Sequence, residues 1–310
     1  MTTTVSPATP AATSGLEALR AVASDIKLAH SVFALPFAVL GAFLARQVDA
    51  PWSWFAGQMA LVIVCMVSAR TWAMVVNRIA DRRLDAQNPR TSRRAFASGR
   101  VTIAFGWAAL AACAGIFFAG AAGFWLFYGN AWPVILAAPV LGVLALYSFT
   151  KRFTWLCHLF LGLSLSLSPI AAAIAVDPAS LFATPALWWI CGMVIAWVAG
   201  FDIIYALQDV DVDRAAALWS VPSRLGVPAA IRICRGLHAI AAACLVMAWM
   251  NDGRLGWLFG GAVIVVGLLL IVEHAVLAVR GKAGLEMAFF TINGIVSCVL
   301  GAAGCIDTIV

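Results

Sequence analysis

Two short stretches of this chain set oxygen-bearing side chains at helical spacing. In NRIADRRLDAQNPR, Asn77, Asp81 and Asp85 stand four residues apart, and in DIIYALQDVDVD, Asp202, Tyr205, Asp209 and Asp213 follow at intervals of three, four and four. A four-residue step on an α-helix turns ~400° and rises ~6 Å, so each set makes one slightly slanted column, while Asp211 points elsewhere. Two carboxylate columns that face each other among apolar helices repel unless cations stand between them. Ligands that are all oxygen favour a hard ion such as Mg²⁺, which keeps some of its waters and binds through one or two carboxylates together with phosphate oxygens. A single Asp at a helix end reads as a solvated anchor; two columns of matching period read as a cation site.

Basic residues gather at the same level. Arg70 lies seven residues before Asn77, two turns deeper on nearly the same face, where an unpartnered charge is costly. Lys151 and Arg152 follow an apolar stretch, and Arg82, Arg83 and Arg90 lie in or just after the first acidic motif. Arg forks match phosphate oxygens, so the combination suggests a phosphorylated anion held by Mg²⁺ and bracketed by guanidinium groups. Taken singly, Arg82 and Arg83 read as topology determinants.

The elements that position these residues follow from composition. Of 310 residues, 64% are hydrophobic and 11% charged, and the mean hydropathy is +0.98. Windows long enough to cross ~30 Å of hydrocarbon as a helix occur near 28–46, 54–76, 102–123, 131–149, 154–176, 185–208, 229–249, 255–277 and 286–306. The expected fold is therefore an all-α integral membrane protein with nine transmembrane helices. Lys and Arg concentrate in the tail and in the loops after the second, fourth, sixth and eighth windows, with Arg46 and Arg254 opposite. This places the N-terminus and the long polar loops in the cytoplasm and the C-terminus outside. The net charge of +6 belongs to that topology, since no groove-tracking or stacking pattern accompanies it and no nucleic acid is expected.

The eight Cys are scattered with no C-x-x-C, which suggests neither a disulfide framework nor a zinc site. His30, His158, His238 and His274 do not cluster along the chain and read as packed or interfacial side chains. Residues 1–26 lack the apolar core of a secretory signal and are expected to be a flexible cytoplasmic tail, leaving 27–310 as one transmembrane unit. The longest polar connection, Arg78 to Arg100, is too short for a soluble domain, so any chemistry must be built by the bundle and its cytoplasmic loops.

With these residues in view, the chain resembles the UbiA superfamily of intramembrane aromatic prenyltransferases from about Lys27 to the last span. The family signature N-D-x-x-D-x-x-x-D is matched by Asn77, Asp81 and Asp85, with Arg78 in place of its second residue. D-x-x-Y-x-x-x-D-x-x-x-D is matched by Asp202, Tyr205, Asp209 and Asp213, and Y-x-x-x-K-R-x-T by Tyr147, Lys151, Arg152 and Thr154. Arg70 matches an arginine seven positions before the motif Asn. The resemblance implies nine helices around a polar cavity open to the cytoplasm, with a lateral opening to lipid. It also implies that a polyprenyl diphosphate is held by two Mg²⁺ ions and that its allylic carbocation is attacked by an electron-rich aromatic ring. Asn77, Asp81, Asp85, Asp209 and Asp213 are then the expected metal ligands, and Asp202 joins the Asp residues in the catalytic set. Arg70, Lys151, Arg152, Tyr147 and Tyr205 are expected to contact substrate. Segments Gln87–Arg100 and Ala215–Arg224 are placed to act as lids. A site among apolar helices also keeps water from the cation.

The hydroxybenzoate enzymes open their first span with an R-x-D-x-P type pattern; here IKLAHSVFALPFAV carries Lys27 instead and no Asp or Pro directly after it. This variant is similar to a branch labelled putative hydroxybenzoate polyprenyltransferase, which leaves 4-hydroxybenzoate and a dihydroxynaphthoate as acceptors, with Lys27 placed to meet the acceptor carboxylate. The expected setting is quinone biosynthesis in a bacterial inner membrane, with lipid as surroundings and no obligate protein partner. An ion-coupled transporter also carries intramembrane acids, but its broken helices set charge near mid-membrane, whereas these acids lie at span ends. Haem, chlorophyllide and glycerol phosphate remain as acceptors elsewhere in the superfamily, and a quinone-binding scaffold without turnover does not call for so many charges.

Overall fold

A computed structural model describes residues 15–26, 32–285 and 287–310. The helices are α1 Gly15–Ile26, α2 Leu35–Leu44, α3 Trp52–Gln87, α4 Ile103–Tyr128, α5 Trp132–Thr150, α6 Cys157–Val176, α7 Ser180–Ala183, α8 Pro185–Ala206, α9 Val210–Ala215, α10 Val221–Leu225, α11 Val227–Met250, α12 Trp257–Arg280 and α13 Asn293–Asp307. Among the described residues there is no strand. Their starts follow local rules: Pro opens α5, α8, α10 and α11, and the Thr102 hydroxyl accepts the Phe105 amide at the head of α4.

Among the described residues, eight helices are long and apolar enough to cross a membrane, the last running from Phe290, within the π-helical turn Met287–Ile292, through α13. The ninth expected span, 28–46, is represented by α2, whose ten residues cover ~15 Å. Lys27 and residues 28–31 lie outside the described residues. Where the sequence suggested a loose tail, Gly15–Ile26 forms a helix that buries Ala18, Val22 and Ile26 against Val75, Phe96 and Leu110. Its apolar positions at steps of four give it a face to bury, a pattern that the polar composition of the segment obscures.

The core is centred on α8, which packs against α6 and α11 and buries Leu187, Ile190, Met193, Val194, Trp197 and Phe201. Trp197 meets Phe37 of α2 at 5.7 Å and Phe201 at 5.0 Å between ring centroids. Helices approach closely through small residues: a Cβ on Gly162 of α6 would fall 2.4 Å from the Ile195 carbonyl oxygen of α8. Large apolar side chains such as Trp107, Leu126, Ile264 and Ile271 face outward, as lipid contact requires. The chain is an integral membrane protein. At the end away from the acidic motifs, Arg254 donates to the Leu44 carbonyl and to Thr184 Oγ1, beside Arg46.

Candidate active site

The first motif rides on one unbroken helix. α3 has 36 residues, ~54 Å long, so it continues well past the thickness of a hydrocarbon core. Asn77, Asp81 and Asp85 all lie on it and all line a single cavity of about 870 Å³. The second motif does not keep its helix. α8 ends at Ala206, Asp209 caps the six-residue α9, and Asp213 lies within α9. The expected single column is therefore a helix end, a turn and a short helix, yet Asp202, Tyr205, Asp209 and Asp213 still line the same cavity. Asp211 does not, as its register required.

Cations do stand beside the acids, and they are the protein's own. Asp81 is 2% exposed; Lys151 Nζ lies 2.6 Å from one oxygen and Arg152 Nη2 3.0 Å from the other. Asn77 Nδ2 also donates to Asp81, at 3.3 Å. Asp85 receives Arg94 Nη1 on both oxygens, at 2.8 and 2.9 Å. Asp209 accepts from Asn88 Nδ2 at 3.0 Å and is held by the Arg90 fork, whose Nη1 donates to Tyr205 Oη at 2.8 Å. Burial works against the Arg90 charge, but the bonds from Asp209 and Tyr205 win and its pKa is raised. Asp213 accepts from Ser220 Oγ at 2.9 Å; burial lifts its carboxyl above the usual range, with Ser220 and the Lys151 charge holding it back.

Asp202 is different. Its oxygen lies 2.7 Å from His158 Nδ1, while His158 Nε2 accepts the Val221 amide at 3.2 Å. His158 thus bridges Asp202 of α8 and the backbone of Val221 at the start of α10. His158 lines the cavity, against the reading of it as an ordinary packed side chain.

Arg70 and Tyr147 also line the cavity, and Arg70 Nη2 donates to the Ile26 carbonyl at 3.2 Å. Arg152 is not in the cavity wall and reaches the site through Asp81 and the Ala80 carbonyl. Lys27 lies outside the described residues. Arg82 and Arg83 line a separate shallow pocket with Phe96 and Ile103, away from the acids. Asn88, Arg94, His158 and Ser220 were missed by sequence reasoning. Asn88, Arg94 and Ser220 lie in the two segments read as lids, and His158 is a polar residue seven positions past Lys151 in an apolar span, which is signal enough to have singled it out.

Two other features are informative. Asp25 of α1 accepts the Ala95 amide, and Arg78 bridges the Asp25 carbonyl and Asn77 Oδ1, so α1 and the α3–α4 loop are tied to the first motif. Ala217, at φ +54°, is the non-glycine residue in the left-handed region among those described, and it lies between Asp213 and Ser220. Such strain costs about 1–2 kcal/mol and persists where the surroundings fix it.

The donor set fits Mg²⁺: the acids offer only oxygen, and each of Asp81, Asp85 and Asp209 now holds a basic group that a dication can replace without leaving bare charge. Above the acids, the cavity wall turns apolar, with Val62, Phe117, Ala121, Phe124, Ile170 and Ile174. The geometry suits an anion at one end and an apolar chain at the other.

Known proteins share this plan. The sequence profile of the UbiA prenyltransferase family matches residues 34–295. A 4-hydroxybenzoate octaprenyltransferase of Shewanella sediminis is 31% identical over 241 residues, 76% of this chain and 79% of that one. The enzyme of the same name from Stutzerimonas stutzeri is 28% identical over 212 residues, 68% of each chain. Among solved structures, a UbiA homolog from Aeropyrum pernix K1 superposes with a TM-score of 0.79 at 32% identity, covering 90% of this chain and 98% of that one. A homolog from Archaeoglobus fulgidus bound to GPP and Mg²⁺ shares the fold, with a TM-score of 0.69 at 16% identity and coverage of 94% and 100%. The chain belongs to the UbiA prenyltransferase family and is a prenyltransferase.

Proposed function

We propose that this protein transfers a polyprenyl group from a polyprenyl diphosphate to a hydroxylated aromatic acid, 4-hydroxybenzoate or a dihydroxynaphthoate, in quinone biosynthesis. The observation that carries the reading is the single cavity in which both acidic motifs and their basic partners meet an apolar wall. The relatives named for 4-hydroxybenzoate prenylation and the neighbour holding GPP and Mg²⁺ support it.

Mg²⁺, two ions in the family pattern, would supply neutralisation of the leaving diphosphate, and Asn77, Asp81, Asp85, Asp209 and Asp213 would hold it. Arg90, Arg94 and Lys151, moved off their carboxylates, grip phosphate oxygens; Arg70 does so from deeper in the cavity, and Arg152 steadies Asp81. The bond between C1 of the prenyl chain and the diphosphate oxygen breaks, with its electron pair leaving on oxygen. A ring carbon of the acceptor supplies the pair for the new carbon–carbon bond. The ring proton goes to Asp202, the cavity acid whose bonded partner is His158 and not an Arg or Lys. Tyr205 and Tyr147 present aromatic faces and hydroxyls at the head of the chain, and the apolar wall excludes the water that would give a prenyl alcohol.

The cytoplasmic face is the site side, with the N-terminus inside and the C-terminus outside, from the basic residues of the sequence. Residues 27–310 act as one domain in lipid. Lys27 pairs with the acceptor carboxylate, so Lys27→Ala raises KM for the aromatic acid and leaves KM for the prenyl diphosphate unchanged. The deciding experiment gives membranes containing the protein Mg²⁺, a polyprenyl diphosphate and both acceptors. A prenylated aromatic and released diphosphate, read by mass spectrometry, are expected. Acceptor uptake into vesicles with no new bond would overturn the proposal in favour of transport.

A further inference from the structure

Behind α8, on the side away from the cavity, four ionisable side chains are packed together in an otherwise apolar part of the bundle. Cys234 and His238 of α11 stand four residues apart on one face, and α12 brings Glu273 and His274 to them. The sequence sets Cys234 and His238 four residues apart but leaves His274 forty residues from Cys234. The fold unites them: the His238 and His274 ring centroids are 5.1 Å apart. Cys234 Sγ lies 4.0 Å from His238 Nε2 and 3.9 Å from His274 Nε2, and the three donor atoms are all within 4.8 Å of one another.

We infer that Cys234, His238 and His274 bind a transition-metal ion of the zinc type, with Glu273 as the outer partner of His238. Metal–sulfur and metal–nitrogen bonds of ~2.3 and ~2.0 Å give a tetrahedral S···N edge of about 3.5 Å, so these edges are within about half an ångström of closure. The second shell is built as well. Glu273, 0% exposed, has Oε2 3.7 Å from His238 Nδ1. Those two atoms and His274 Nδ1 are buried with no hydrogen-bond partner. A carboxylate behind a ligating imidazole fixes its tautomer and strengthens it as a ligand. Asn293 Nδ2 donates to Glu273 Oε1 at 3.0 Å, and Trp197 Nε1 donates to Asn293 Oδ1 at 2.6 Å, so the carboxylate is itself aimed.

Charge favours the same reading. A dication with one thiolate and one carboxylate sums to zero, whereas any single charge left in this setting is expensive. α8 also makes room, since a Cβ on Gly200 would fall 2.3 Å from His238 Cδ2, and the Gly200 carbonyl accepts from Cys234 Sγ at 3.2 Å. Gly200 and Asp202 are two residues apart, ~200° around the helix, so the two sites sit back to back on α8. None of the three donors lines the prenyl-transfer cavity. Sulfur and imidazole select a softer ion than the oxygen ladders do, so the two sites sort their metals.

Purified, chelator-treated full-length protein titrated with Co²⁺ tests this, because a bound thiolate gives a near-ultraviolet charge-transfer band that carboxylates cannot. One equivalent should produce that band with tetrahedral ligand-field bands, and Zn²⁺ should displace it. Cys234→Ser and His274→Gln should each abolish or shift it, Cys298→Ser at an exposed position should keep it, and Glu273→Gln should weaken affinity about 10- to 100-fold. Helix content and prenyl transfer check that each variant is folded, and His274→Gln, at a half-buried position, serves if Cys234→Ser does not fold. Absence of the band in wild-type protein, or its persistence in the folded Cys234 and His274 variants, would overturn the assignment.

Discussion

The two acidic motifs have nearly the same spacing in sequence and different backbones in space. Asn77, Asp81 and Asp85 share one helix that runs without a break to Gln87, whereas Asp202, Asp209 and Asp213 are divided among α8, a turn and α9. The difference is also electrostatic: the acids of α3 are clamped by Lys151, Arg152 and Arg94, while on the other side Arg90 clamps Asp209 and the remaining two acids, Asp202 and Asp213, bond an imidazole and a hydroxyl. One motif is a continuous ruler and the other a jaw assembled from two helices and a turn. Asn88 and Arg90, which follow the ruler directly, reach across to Asp209 and set the distance between them.

The largest expected effect treats the two motifs as equals. Asp85→Asn and Asp209→Asn should each lower kcat by at least about 100-fold, the scale of losing one preorganised electrostatic partner at a developing charge. Membrane insertion should be unaffected in both. Product assays with saturating Mg²⁺ read this directly, and near-normal turnover in either variant removes that residue from the site.

The next effect separates them. Arg94→Ala leaves Asp85 without its clamp, so half-maximal activity should need less Mg²⁺ while KM for the prenyl diphosphate rises about tenfold, or 1.4 kcal/mol. Arg90→Ala frees Asp209 and Tyr205 together, on the side of the second motif, and should lower kcat as well. Identical kinetic profiles for the two variants would erase the distinction between ruler and jaw.

How much of this was legible in the sequence differs between the motifs for the same physical reason. Spacing reports which residues share a helix face only while the helix continues. It continues through Asp85, so the first column was readable; it stops at Ala206, and only the tertiary fold returns Asp209 and Asp213 to the cavity. Hydropathy found the eight long spans, and in the 28–46 window, of which 28–31 lie outside the described residues, the described α-helix is α2, with ten residues. Like-charge repulsion led to the right demand for cations and did not say that Arg90, Arg94 and Lys151 meet it. The Cys234, His238 and His274 cluster was hard to read because only Cys234 and His238 share a local spacing, and helix packing brings His274 to them.

Backbone motion gives a smaller and independent contrast. Amides of 207–216 should exchange at least about tenfold faster than those of 77–87 in metal-free protein, since α9 is less than two turns long and α3 is continuous. Mg²⁺ with a diphosphate analogue should protect the second segment more than the first. Hydrogen-exchange mass spectrometry showing equal protection in both would mean that the break after Ala206 has no bearing on binding.

The smallest effect is a pH shift confined to the jaw. Burial raises the Asp213 carboxyl, so its charged form, the one that holds an ion, is lost on acidification sooner than at an ordinary Asp. Mg²⁺ affinity should therefore fall as pH drops through a range above the usual carboxylate values. Stability of the ion-free protein should move the other way, rising as the buried charge is neutralised. Ser220 Oγ donates to Asp213 and favours its charged form, so Ser220→Ala should carry the loss of Mg²⁺ affinity to still higher pH. Ser220 also caps α10 by accepting the Ser223 amide, so the Ala variant should lose about 1 kcal/mol of stability besides. Ser220→Thr keeps both bonds and should restore the wild-type pH profile of Mg²⁺ titration; a profile unmoved by Ser220→Ala would show that Asp213 holds no ion.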